Sequence, residues 1–556
     1  MCAWAAEHNK GAKDLEDILK LAKAIFPDSD IAKSMRVGRT KASAIISNVV
    51  GAAHAYELKE LLKTNKFSLI IDESTDITTR KTLVMVIRTY YWLNDDLLIK
   101  DFFYHAVQLV EADALTLYNA IVTKFEIDEV PYKSNLIGFG ADGASTMHGG
   151  KHSVAILLKK DCENLFLLKC SLCSAYACKH IPASIEWLCK EIYSFLSQSP
   201  LRTAKFEQLQ HIMEIKPIKM LHPANTRWLS LEDVVRRIVE RFETLTIYFS
   251  FVDVGMDSKQ KEKMHEILAV LNNPATTLYL KFLLYILPKV NKLNRTFQAE
   301  SPQIYVLHSE ITRLYRELLS NFMRKDYINK VIDGCYDLHP RNYVALEEIY
   351  MGVQVQSLIV SSKMSKEELN HFRLNIMNFY ITLANQILKR FDFNDPVLQN
   401  LNQIDPNILK CKKGHSLYVL LKQFPNIINE IDEQAVDDEY REVQNVEWTC
   451  EYDFSDVIKF WNKVLSMKRT NGSYAFPLLR MFISSILSLP HSSAAVERIF
   501  SVYNINKTKT RNRLSTTIMN GILSAEEYVK KHKTEQGIVK VTATANTAQK
   551  LTFRHF

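Results

Sequence analysis

The sequence predicts an α/β sheet joined to a large all-α body, and three observations carry that prediction. Short, nearly continuous apolar runs with β-branched members, such as Phe67, Leu69, Ile70 and Ile71, cluster between residues 66 and 150; buried strands read this way. Two of these runs lead to an aspartate, Asp72 in KFSLIIDESTD and Asp142 in NLIGFGADGASTMHGG. From Trp228 to about Trp448 the apolar residues instead recur at the three-to-four spacing of helices.

Taken in order, Leu15, Ile18, Leu19, Leu21, Ala22 and Ile25 give a first helix that Pro27 and Asp28 end. A second runs from near Lys41 to Leu62, with Gly51 as a candidate break. The period then changes. After the strand that ends at Asp72, 83–92 and 97–104 read as two strands joined at Asn94-Asp95, a hairpin turn signal. Asp113 is placed to cap a helix over 114–125, before the strand that leads to Asp142. A helix over 152–160, a strand over 165–168 and helical text over 174–196, interrupted by Pro182, follow. Three antiparallel strands, then alternating helices and strands, is the order of an RNase H-like mixed sheet.

Within the helical body, Leu280, Leu283, Leu287, Val290 and Phe297 share a face, with a kink expected at Pro288. Ile311, Leu314, Leu318 and Phe322 mark another helix. Ser365 and Glu368 form a capping box ahead of Leu369, Phe372, Ile376, Leu383 and Ile387. The acidic stretch 432–447 reads as a solvated connector.

Composition bounds the rest. A chain of 556 residues, 47% hydrophobic and 24% charged, has ample core and a prior of about three or four domains. A net charge of +8 permits a nucleic-acid partner without requiring one, because such binding draws on local basic patches. Nine cysteines at irregular spacing fit reduced thiols in an intracellular compartment better than a disulfide framework. The most apolar stretch, 278–288, is short and carries Lys281, and the opening MCAWAAEHNK lacks a leader's layout, so neither a membrane partner nor secretion is expected. No small-molecule substrate is evident.

Several residues are candidates for chemistry. Two carboxylates at strand ends of one sheet suit a divalent metal, which takes hard oxygen ligands, although a lone strand-end aspartate is more often a cap or turn former. In LSLPHSSAAVERIFS, Pro490 marks a boundary, and Ser492 or Ser493 can cap a helix that carries Glu497 in its middle. A salt bridge or solvent is the rival explanation of that carboxylate. Beyond it, Lys507, Lys509, Arg511 and Arg513 precede an apolar helix edge of Leu514, Ile518, Ile522 and Leu523. A basic run beside an apolar stripe suits phosphate contact next to an association surface; a solvated face is the commoner origin of such charges.

IIDESTD, GADGAS, NTRW and SSAAVERIFS followed by RNRL resemble the hAT superfamily of DNA transposases and their host-adopted derivatives. The likeness extends over nearly the whole chain from about Ala5. It implies an RNase H-like core interrupted by a helical insertion, with a helical C-terminal dimerisation region that supplies the last acidic residue. By that resemblance Asp72, Asp142 and Glu497 are the catalytic and metal-binding carboxylates, with Asp76 as the fallback for the first, and Mg²⁺ or Mn²⁺ is the cofactor. The chemistry implied is two-metal phosphoryl transfer. Trp228 in NTRW matches the residue that stacks on a flipped base, and Arg227 is available for phosphate; a buried core tryptophan is the rival. Leu514, Ile518 and Ile522 are the expected dimerisation edge.

Two departures stand out. Cys173 in Cys170-Ser-Leu-Cys173 occupies the histidine position of the family's Cys-x-x-His pair. Cys170, Cys173, Cys178 and His180 do not fit a usual zinc finger, because one residue separates the last two, so structural zinc is not expected. The family's N-terminal zinc finger is not found in this sequence. The expected function is therefore a transposase-derived nuclear protein that forms a homodimer or higher oligomer and meets DNA, without efficient transposition. The alternative is an active transposase that cleaves and joins DNA with Mg²⁺. The expected division is a helical lead-in (1–65), core (66–227), helical insertion (228–448), dimerisation region (449–530) and disordered tail (531–556).

Overall fold

A computed structural model describes residues 1–75, 80–169, 175–222, 228–251, 257–331, 336–362, 364–411, 414, 416–449, 452–508, 511–512 and 514–532. Of the expected tail, Lys531 and His532 belong to the helix Thr516–His532, and 533–556 lie outside the described residues. The chain forms two compact units: Met1–Ser171 with Phe297–Leu307 and Pro396–Phe556, and Leu172–Thr296 with His308–Asp395.

The first unit holds the sheet. Its N-terminal helices are α1 (Cys2–Glu7), α2 (Ala12–Ile25), α3 (Arg39–Ile45) and α4 (Gly51–Thr64). A π turn over Ile46–Val50 joins α3 to α4, and Gly51 keeps helical dihedrals, so the expected break does not occur. The strands are β1 (Phe67–Thr75), β2 (Lys81–Leu93), β3 (Asp96–Leu109), β4 (Leu136–Ala141) and β5 (Phe166–Lys169), in the order β3-β2-β1-β4-β5. The β2–β1 and β3–β2 pairs are antiparallel, while β1–β4 and β4–β5 are parallel. This is the mixed RNase H-like sheet that the element order predicts.

Local chemistry explains the connections. The β2–β3 hairpin turns at Asn94 and Asp95, with φ of 50° and 66°, a left-handed pair that short polar side chains tolerate. Asp113 Oδ1 accepts from the amides of Leu115 and Thr116 at 2.9 and 3.0 Å and so starts α5 (Ala114–Ile127). Helix α6 (Val154–Asp161) precedes β5.

Each face of the sheet is covered. Leu69, Ile71 and Phe139 pack against Leu117, Ile121 and Phe125 of α5, Val154 and Leu158 of α6, and Leu58 and Leu62 of α4. On the opposite face, Ile70, Val84, Val86 and Phe103 meet α7 (Ala494–Asn506) and α8 (Thr516–His532), through Ala495, Val496, Tyr503, Met519 and Leu523. The acidic stretch is not a solvated connector. Residues Glu433–Gln444 form a helix that buries Val436, Tyr440 and Val443, and Tyr440 donates to the Gln403 carbonyl at 2.6 Å. Residues 396–448 thus pack with the sheet unit, rather than with the insertion.

The second unit is helical. Ser365 Oγ accepts from the Glu368 amide at 3.2 Å, and Glu368 Oε2 accepts from the Ser365 amide at 2.8 Å; this is the expected capping box, at the start of Lys366–Arg390. Phe282 meets Phe379 and Tyr380 edge-on, with centroids 5.2 and 5.5 Å apart. Helix Pro274–Phe297 continues through Pro288, and Leu280, Leu283, Leu287 and Val290 are buried as their spacing predicts. Helical text begins earlier than the expected boundary at residue 228: Ala183–Ser197 follows Pro182, and Pro200–Ile212 precedes the insertion. Among the described residues no single helix is long and apolar enough to cross a membrane, although Ser258–Asn272 and Pro274–Phe297, bent by 71°, pass that test as a pair.

Candidate functional site

Asp72 and Asp142 are brought together by strand register. In the parallel β1–β4 pair, Ser68 stands opposite Gly138, Leu69 opposite Phe139 and Ile70 opposite Gly140. The pairing ends there, and continuing the same register by two residues would set Asp72 beside Asp142. Side chains alternate along a strand, so Asp72 shares the face of Ile70, and Asp142 shares the face of Gly138 and Gly140. That is the face covered by α7, the helix that carries Glu497.

The approach of α7 is set by two contacts. Leu489 and Pro490 lie so close to β4 that a β-carbon on Gly138 would stand 2.6 Å from Pro490 Cδ and 3.2 Å from Leu489 Cδ2. Arg498 then fixes the helix about its axis, binding Asp101 Oδ2 at 3.2 Å and the Gln298 carbonyl at 3.3 Å. Asp101 is also held by the buried Arg88 at 2.9 Å. Adjacent helical residues point about 100° apart, so Arg498 reaches toward β3 while Glu497 turns elsewhere. Glu497 lies in the first turn of the helix, not at its middle.

Electrostatics link the three carboxylates. Burial pushes the Asp72 carboxyl up to about 7, and the negative charges of Asp142 and then Glu497 push in the same direction, against a hydrogen bond from the Glu73 amide. That bond is 2.8 Å long. Asp142 Oδ1 accepts from the Ala144 amide at 3.2 Å, a local turn contact. Oxygen donors alone suit a hard divalent cation, and such a charge would relieve the burden on Asp72. Among the described residues, no three histidine, cysteine or carboxylate side chains form a group able to hold one ion. The three acids are close enough to influence the titration of Asp72 but do not form a closed cage.

Sequence reasoning passed over Glu73. Its carboxyl is raised by burial and by Asp142 and lowered by Lys81, and its buried Oε2 has no hydrogen-bond partner among the described residues. The signal was its place inside the acidic cluster DESTD. His148, six residues after Asp142, was passed over too; burial holds its imidazole down to about 4, hence neutral, with its ring 5.5 Å from that of Phe139.

The other predicted residues fare differently. Lys507 is 3% exposed and points to Tyr503, its Nζ 3.5 Å from the hydroxyl, so it is not a surface phosphate contact: its aliphatic stem is part of the packing. Arg511 is half-buried and donates to Asn506 Oδ1 at 3.3 Å. Asp76, Lys509, Arg513, Arg227, Cys170 and Cys173 lie outside the described residues. Trp228 begins the helix Trp228–Glu240. His180 Nε2 lies 2.8 Å from the Thr382 hydroxyl.

Ile522 is buried, and Leu514 and Ile518 are partly buried. They pack within the chain against Ala5, Ala6, Leu15, Ala42, Ile46 and Val50 of the N-terminal helices. The closest approach is backbone to backbone, since a β-carbon on Gly51 would lie 2.5 Å from the Gly521 carbonyl oxygen.

Asp72 lies within β1, which continues to Thr75 rather than ending at the aspartate as expected, and Asp142 follows the end of β4; residues 21–152 match the family described as ZMYM1/FAM200, RNase-like domain. Residues 437–529 match the hAT family C-terminal dimerisation region. These two matches support an hAT-type transposase-derived protein, and the second is to a region of a kind that supports self-association.

Proposed function

We propose that this protein is a self-associating, DNA-acting nuclear protein that retains a DDE-type site for metal-dependent phosphodiester chemistry. The observation that carries this reading is the Asp72 carboxyl, raised to about 7 by burial and then by the charges of Asp142 and Glu497. In this reading Asp72, within β1, and Asp142, just after β4, hold a divalent cation, and Glu497 completes the ligands from the helix above. When bound, Mg²⁺ or Mn²⁺ would activate a water or a 3′-hydroxyl and stabilise the leaving oxygen. The protein's own part is to fix the acids: register holds the aspartates, Gly138 admits the Leu489-Pro490 segment, and Arg498 orients the helix. Arg227 and Trp228 would engage the DNA backbone and an unpaired base.

The test is Mg²⁺-dependent nicking of hairpin-forming DNA by wild type and by Asp142→Ala. Cleavage by the wild type that disappears in the variant is the expected result. No metal-dependent cleavage by either protein would overturn the catalytic part.

A second reading, an adopted non-catalytic DNA-binding dimer without efficient transposition, is favoured by one observation: Cys173 stands at the histidine position of the Cys-x-x-His pair. DNA retention without metal-dependent cleavage would select it.

A further inference from the structure

We propose that a cavity between β3 and helices α7 and α8 is a binding site for an organic cation, a primary ammonium or guanidinium on an alkyl stem. The cavity has a volume of about 430 Å³, within the range of ligand pockets. None of Asp72, Asp142 or Glu497 lines it, and it opens on the flank of α7 that carries Arg498, Ile499 and Val502.

The floor is apolar: Val86, Ile99, Phe103, Ile499, Val502 and Leu523 offer a surface for an alkyl stem. The rim is acidic, with Asp101, Glu300, Glu526 and Glu527. Four basic residues also line it: Lys100 is exposed, and the other three pair with acids. Arg498 binds Asp101 at 3.2 Å and lies 3.7 Å from Glu300. Lys531 binds Glu57 at 2.7 Å. Lys530 bonds one oxygen of Glu526 at 2.9 Å.

The second oxygen of Glu526 is the decisive feature. Glu526 is only 5% exposed, and its Oε2 is buried with no hydrogen-bond partner among the described residues. A buried carboxylate oxygen left unpaired costs more than it can recover from its surroundings. Beside it, burial together with Glu526, Asp101 and Glu300 raises the Glu527 carboxyl to about 7, against Lys530. Both acids gain from a positive charge seated between them, and a charge-assisted hydrogen bond to Oε2 fills the vacant acceptor. An ammonium or guanidinium supplies the charge and the donor, while its stem covers the apolar floor. A free polyamine and the basic side chain of a polypeptide partner share this chemistry.

Calorimetric titration of the full chain at 0.15 M salt tests the site with three probes: spermidine, the tripeptide acetyl-Gly-Arg-Gly-amide, and its neutral citrulline analogue. Saturable binding of either cation, without binding of the citrulline peptide, is expected. Tighter binding of spermidine identifies a free polyamine as the natural class, and tighter binding of the arginine peptide identifies a partner's side chain. Glu526→Gln should weaken binding by at least about tenfold, as loss of a charged hydrogen bond implies. The site is refuted if neither cation saturates, if the citrulline peptide binds equally, or if Glu526→Gln binds like wild type. Should Glu526→Gln lose its cooperative melting transition, Glu527→Gln decides: weaker binding supports the site, and wild-type affinity refutes it.

Discussion

Pro490 lies against Gly138 so closely that no larger residue fits between them, with 2.6 Å separating Pro490 Cδ from the position of a β-carbon on that glycine. This contact seats the start of α7 on the strand that ends at Asp142. Gly138→Ala must push the Leu489-Pro490 segment outward or distort β4. Overpacking at a buried site costs about 1–3 kcal/mol, to be read from the urea midpoint. The same variant should lose metal-dependent nicking, because Glu497 moves with the segment. Wild-type midpoint and activity together would show that the contact positions nothing.

The acidic pocket should be visible in the pH dependence of stability. Asp72 keeps its proton to about 7 in the folded chain, whereas an unfolded aspartate loses it near 3.9. Between these values the folded state binds more protons, so stability falls as pH rises from about 4 to about 7 and levels off above. Asp72→Asn should flatten this slope. Above pH 7, Mg²⁺ should raise the melting temperature of wild type but not of Asp72→Asn.

His54 gives the opposite slope. Burial holds its imidazole down to about 4, and Lys531 and His532 act in the same direction, while its hydrogen bond to the Phe103 carbonyl opposes them. The unfolded side chain takes up a proton near 6.5, so stability is fully present above that pH and is lost as pH falls toward 4. The integrated loss is about 3 kcal/mol. Chemical denaturation at stepped pH of wild type and His54→Gln isolates this contribution from that of Asp72.

Ile522 distinguishes packing within the chain from packing between chains. It is buried against the N-terminal helices, so Ile522→Ala should cost about 2–4 kcal/mol and leave the oligomer's mass in sedimentation unchanged. A fall in mass at an unchanged melting temperature would return this residue to a subunit interface.

Much of the fold was legible because its determinants are local. Asn94-Asp95, Asp113 and the Ser365–Glu368 box each act on backbone within three residues, and the structure forms all three features. The aspartates were legible as the polar ends of buried runs. Three expectations differ from the structure, each for its own reason. Leu514, Ile518 and Ile522 read as an open edge because the helices that cover them lie at the other end of the chain. Lys507 read as surface charge, although Tyr503 and its neighbours enclose it. In the acidic stretch, Val436, Tyr440 and Val443 do follow helical spacing, but the surrounding charge hid their stripe.

The packing of α1 and α4 on α8 has a consequence for biosynthesis. Cys2–Glu7 leaves the ribosome long before Thr516–His532, about five hundred residues ahead of it. At about 5–20 residues per second, the opening helices wait roughly 25–100 s for the surface they cover. During that interval their apolar faces are exposed to chaperones and to other nascent chains, so a premature stop before α8 would leave these helices sticky and part of one sheet face uncovered.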